Sequence, residues 1–150
     1  MNGLFLEKKN LKYSFKKKTD LRGDLIAIDS EFDLPFDIKR IFYIMKMDKL
    51  ERGFHAHRKC IQLLIPIQGS FRLKLFDGEY YSNFFLDKSN EGVIIPIYHW
   101  LSMCDFSEDC IINFSRSCLV LFITRINNYS NLSSCNPYSS FDRNRFSKRF

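Results

Sequence analysis

Nowhere does the 150-residue sequence approach the ~20 consecutive apolar residues that a membrane-crossing helix needs, so no membrane partner is expected. The first residues, MNGLFLEKKNLKY, carry charge where a secretion signal requires an apolar stretch, and no small-residue cleavage site follows. A cytoplasmic location is expected. The five cysteines (Cys60, Cys104, Cys110, Cys118 and Cys135) include no CxxC pair and no zinc-like spacing, which argues against a disulfide framework and for free thiols. No long segment has a 3.6-residue apolar period and no internal repeat is found, which excludes a helical bundle and a solenoid. Acids are scarce in one region only. Residues 111–150 hold six basic side chains against a single acid, Asp142, so most of the net charge of +6 lies there. Elsewhere the two signs are mixed, apart from Lys16-Lys17-Lys18. A solvated basic tail accounts for that distribution, and no nucleic-acid partner is expected.

What the chain does contain is aromatic and strand-forming. Sixteen phenylalanines in a chain of single-domain length suit a sheet-rich core. Thr19 to Asp24 reads as a polar turn, Leu25-Ile26-Ala27-Ile28 as a short buried strand, and Ile38 to Ile44 as another strand after a loop held open by Pro35. Phe71-Arg72-Leu73-Lys74-Leu75 alternates with period two. Asp77-Gly78 marks a hairpin, and Glu79 to Leu86 returns as the partner strand. Val93 to Pro96, Trp100 to Phe106 and Cys110 to Ile112 add further short strands. The spacing predicts an all-β sandwich or small barrel. The character changes near Asn113: residues 113–150 are rich in Ser and Asn and lack glycine, with a further strand conceivable only at Leu119 to Ile123.

The chemistry is concentrated in Arg52 to Ser70, RGFHAHRKCIQLLIPIQGS. His55 and His57 are separated by one small residue, and in a strand residues i and i+2 share a face, so both imidazoles would look into one space. His99 lies beside Trp100 and reads as structural. An HxH pair followed by Gln62, six residues and Gly69 resembles the first motif of the cupin barrel, with glutamine where that motif carries glutamate. The segments KKKTDLRGDLIAID, PFDIKRIFYI, RGFHAHRKCIQLLIPIQGS and EGVIIPIYHW are more specific. They resemble the sugar 3,4-ketoisomerase family, also described as WxcM-like, over residues 12–112.

That resemblance implies a cupin fold, a jelly-roll-like double-stranded β-helix barrel, with residues 1–112 as the ketoisomerase domain. Residues 113–150 form a divergent basic segment that either completes the barrel or departs from it. It implies a homodimer, no cofactor and no metal. The implied substrate is dTDP-4-keto-6-deoxyglucose, whose ketone moves from C4 to C3 in making 3-amino-3,6-dideoxysugars for surface polysaccharide. His55 and His57 match the family's catalytic histidines and Tyr43 its active-site tyrosine, while Arg52 and Gln62 match recurrent motif positions.

The reaction needs a base with a pKa near neutrality, which histidine offers. His55 is expected to be that base, with His57 orienting it or relaying protons, although the order of the two is not fixed by the sequence. Tyr43 would hydrogen-bond the developing enediolate oxygen. Arg52, Arg58 and Lys59 would meet the diphosphate, unless the Arg58-Lys59 pair is only a solvated turn. Two rivals are a metal-dependent cupin enzyme using both imidazoles as ligands, and a non-catalytic sugar-nucleotide-binding cupin.

Overall fold

A computed structural model describes residues 11–118, which form eleven β-strands and no helix. The expectation for Leu119 to Ile123, and Cys135, lie outside the described residues. A five-stranded antiparallel sheet has the order β1 (Lys12–Ser14), β9 (Glu91–Ile95), β6 (Gln62–Gln68), β11 (Ile111–Arg116), β4 (Arg40–Ile44). A four-stranded sheet has the order β5 (Arg52–His55), β10 (Trp100–Cys104), β7 (Phe71–Phe76), β8 (Tyr81–Leu86). This is the crossed, non-sequential strand order of a cupin barrel.

Period-two alternation explains why the sheets close on each other. Leu73 and Leu75 of β7, Leu101 and Met103 of β10, Leu64 of β6, Val93 and Ile95 of β9, and Ile112 and Phe114 of β11 form one buried cluster. Removing so much apolar surface from water, at ~25 cal/mol per Å2, is the main force holding the two sheets together. A second cluster lies on the other face of the five-stranded sheet. There Phe15 and Leu34 cover Leu63, Ile65 and Ile94. Strand β6 is therefore buried on both faces, which explains its nearly continuous apolar run.

The Asp77-Gly78 hairpin forms as its sequence predicts. Gly78 takes a positive φ of 106°, and Asp77 Oδ1 accepts hydrogen bonds from the backbone N–H groups of Glu79 and Tyr80, both at 2.8 Å. Gly69, at the β6–β7 corner, also needs its missing side chain. Its φ is 67°, and a Cβ there would collide with Ser107 and Asp109.

Three expectations change. The strand expected at residues 25–28 instead runs Gly23–Ile26 (β3) and pairs with β2 (Lys17–Asp20) in a two-stranded ribbon. Leu25 is exposed there, because a two-stranded ribbon has no second layer over that face. Strand β11 continues past Ile112 to Arg116 and lies between β4 and β6, so residues 113–116 belong to the sheet. Finally, Cys60 and Cys118 form a disulfide, with Cα atoms 5.4 Å apart, while Cys104 and Cys110 stay as buried thiols. No sequence spacing discloses the bridge, since its cysteines are 58 residues apart. They meet because Ile61 and Ser117 exchange hydrogen bonds where β6 begins and β11 ends: Ile61 N to Ser117 Oγ at 2.9 Å, and Ser117 N to Ile61 O at 3.0 Å.

Candidate active site

The site is built where the starts of β4 and β6 and the end of β11 approach the histidine segment. Strand β5 stops at His55, and His57 lies beyond it, so the two imidazoles are not successive rungs of one strand. A β-bulge makes the difference. Gly53 pairs with Ser102 and His55 with Leu101, which leaves Phe54 as the extra residue. Gly53 and Phe54 both have positive φ, 103° and 55°. At Gly53 a Cβ would sit 2.7 Å from Leu101 Cδ1 and 2.9 Å from Leu101 O, so the chain can pass β10 this closely only as glycine. Beyond the bulge the two histidine rings meet edge to face, with centroids 4.9 Å apart and planes at 84°.

Local hydrogen bonds fix both residues. His55 Nδ1 lies 2.9 Å from Gly53 O. A carbonyl can only accept, so Nδ1 carries the hydrogen and the basic lone pair resides on Nε2. His57 is anchored through its backbone oxygen, which accepts from Tyr98 N at 2.7 Å. Its side chain is 5% exposed, and its Nε2 has no hydrogen-bond partner among the described residues. Burial, then the neighbouring His55 and Arg116, lowers the His57 pKa from 6.5 to about 4. His57 is thus neutral at physiological pH.

Gln62 is fully buried, and its Oε1 accepts a hydrogen bond from Arg116 Nε at 3.0 Å. Arg116 pairs directly across the sheet with both Gln62 and Arg40. Its guanidinium lies 4.6 Å from the centroid of the Phe42 ring, which in turn stacks on Phe114 at 4.8 Å. Arg40 approaches the same ring from 5.5 Å. Arg116 is 7% exposed, and burial together with Arg40 pulls its pKa down.

The structure brings His55 and His57 together, buries Gln62 against Arg116, and leaves the other expected residues elsewhere. Tyr43 is in register with Asn113, which pairs in turn with Ile65, on the outer face of the five-stranded sheet. It is 56% exposed, and the inward position on β4 belongs to Phe42, which has no hydroxyl. Arg52, Arg58 and Lys59 are exposed. The residue that the sequence reading assigned to the basic tail, Arg116, is the one inside. A signal for it exists: Ile112, Phe114 and Arg116 share one face, and an arginine continuing an apolar row is seldom a surface charge. Among the described residues, no three His, Cys, Asp or Glu side chains converge as a metal ligand set.

The fold is that of a cupin-type enzyme, with the two imidazoles paired inside it. The family model described as FdtA, WxcM-like, C-terminal matches residues 8–135. The TDP-4-oxo-6-deoxy-alpha-D-glucose-3,4-oxoisomerase of Aneurinibacillus thermoaerophilus is 42% identical over 99 residues, covering 65% of this chain and 71% of that enzyme. A variant of the QdtA 3,4-ketoisomerase from Thermoanaerobacterium thermosaccharolyticum, solved in complex with TDP, is 36% identical with a TM-score of 0.70, covering 73% of this chain and 80% of its own. The WlaRB TDP-quinovose 3,4-ketoisomerase from Campylobacter jejuni is 32% identical with a TM-score of 0.73, covering 76% and 90%. The chain belongs to this family of sugar 3,4-ketoisomerases.

Proposed function

We propose that the protein isomerises TDP-4-keto-6-deoxyglucose, moving the ketone from C4 to C3, and that it acts as a cytoplasmic homodimer. The observation that carries this reading is the His55–His57 pair, held edge to face at 4.9 Å in a chain 42% identical to the Aneurinibacillus isomerase. His55 Nε2 takes the proton from C3, the electron pair left behind forms the C3–C4 double bond as the C4 carbonyl pair moves onto its oxygen, and that oxygen takes up a proton to give the enediol. The C3 hydroxyl then gives up its hydrogen as C3 becomes the ketone, and C4 receives a proton on carbon. C3 is oxidised and C4 reduced within one molecule, so no external electron carrier is required.

The spacing of the rings supports a shared proton. Two imidazolium ions this close repel, so protonation of one disfavours protonation of the other. A pair that carries one proton at a time suits a reaction that removes one and returns one. With His57 neutral, nothing on that ring opposes the charge arriving on His55. Incubation with TDP-4-keto-6-deoxyglucose in deuterated water, followed by NMR, should show the ketone relocated and deuterium incorporated at carbon. Undiminished isomerisation by a His55→Asn, His57→Asn double variant would sink the proposal.

A further inference from the structure

The outward placement of Tyr43 leaves the enediolate oxygen without the donor expected for it. We infer that Arg116 supplies that donor, its guanidinium binding the oxygen on which negative charge develops as the ketone moves. The inference rests on the isomerase reading and adds a catalytic residue to it.

Three observations carry it. The first is position. Arg116 pairs with Gln62 across the sheet, lies 4.6 Å from the ring of the inward-facing Phe42, and is near enough to His57 for its charge to be felt there. The second is orientation. The bond from Nε to Gln62 Oε1 and the stack on Phe42 fix the guanidinium plane, while that bond uses one of five N–H donors. The third is charge. Neither Arg116 nor Arg40 forms an ion pair with a carboxylate among the described residues, although Arg116 is 7% exposed. A buried cation lacking its anion is costly, and the cost is relieved when negative charge appears beside it. A donor whose partner exists chiefly in the transition state lowers the barrier without tightening ground-state binding.

No bond to Arg116 forms or breaks in this step. The proton moves between carbon and imidazole as above, and the guanidinium keeps its own protons while hydrogen-bonding the oxyanion.

The test compares wild type with Arg116→Met and Arg116→Lys, measuring kcat for TDP-4-keto-6-deoxyglucose, Kd for TDP, and thermal unfolding. Loss of an oxyanion donor predicts a fall in kcat of about 100- to 1,000-fold for Arg116→Met. Arg116→Lys keeps the charge without the fixed fork and should recover kcat to within roughly 10-fold of wild type. TDP affinity should change less than about 3-fold in both, since the nucleotide lacks the reacting carbons. In the absence of ligand, thermal unfolding should show that the Arg116→Met protein is folded at the assay temperature, although the change leaves the buried Gln62 Oε1 without its donor and lowers the midpoint. A further variant, Phe42→Tyr in the Arg116→Met background, places a phenol at the inward position and should restore part of the lost kcat.

A folded Arg116→Met protein with wild-type kcat overturns the inference and leaves the isomerase reading standing. A loss of kcat matched by an equal loss of TDP affinity also overturns it, since it assigns Arg116 to nucleotide binding. Absence of isomerisation in wild type overturns both.

Discussion

Acidification should weaken the fold by an amount traceable to His57 alone. In the unfolded chain its imidazole titrates near 6.5, whereas burial, His55 and Arg116 hold the folded value at about 4. Above pH 6.5 neither state binds the proton and His57 contributes nothing to the pH dependence. Between 6.5 and about 4 the unfolded state takes up a proton that the folded state refuses, so stability falls as pH falls. Below about 4 both states are protonated and the loss levels off. At ~1.36 kcal/mol per pH unit, the interval from 6.5 to about 4 amounts to roughly 3 kcal/mol. That is a large share of the ~5–15 kcal/mol typical of a domain. Urea unfolding of wild type and His57→Asn across this range isolates the effect, because the carboxylates titrate in both proteins and cancel in the difference. The stability of wild type relative to the variant should drop by about 3 kcal/mol between neutral pH and pH 4. Curves that run parallel would refute the assignment of a buried, depressed imidazole to His57.

Gly53→Ala should cost at least about 2 kcal/mol and reduce kcat, because a Cβ meets Leu101 at 2.7 Å, the φ of 103° is strained for alanine, and His55 is two residues away. Urea midpoints and initial rates check both effects. Tyr43→Phe should retain kcat to within about 3-fold, since its hydroxyl lies on the outer face. A loss of 100-fold would restore the tyrosine to the site. Reduction of the Cys60–Cys118 bridge, which spans 58 residues, should lower stability by up to about 4 kcal/mol. The same reductant should leave Cys60→Ser unchanged, as read by paired urea titrations.

The sequence revealed the parts of the fold that local chemistry decides. Alternation at Phe71 to Leu75 and the Asp77-Gly78 turn describe a hairpin whose register follows from a period of two and a glycine at positive φ. The spacing of one residue made the histidine pair legible, but not through strand alternation, since His57 lies beyond the end of β5. Same-face alternation places both rings in one space and leaves their angle open; in the structure they meet edge to face beyond the bulge at Phe54. A bulge depends on the close passage of β5 along β10, which no local pattern records. Tyr43 and Phe42 show a related limit. Both are strand-forming aromatics in adjacent positions, and only the pairing of β4 with β11 decides which of them faces inward. Arg116 was hidden by its neighbours, since the composition of the segment beyond it masked an arginine in the same row as Ile112 and Phe114. The disulfide was out of reach altogether, because it depends on where β6 begins and β11 ends.

The most direct test of the account follows the substrate carbon by carbon. With the purified protein, TDP-4-keto-6-deoxyglucose in deuterated water should show its ketone 13C signal leave C4 and appear at C3. His55→Asn should abolish that transfer while still binding TDP. Retention of the ketone at C4 with wild-type protein, or unimpaired transfer by His55→Asn, would contradict the account.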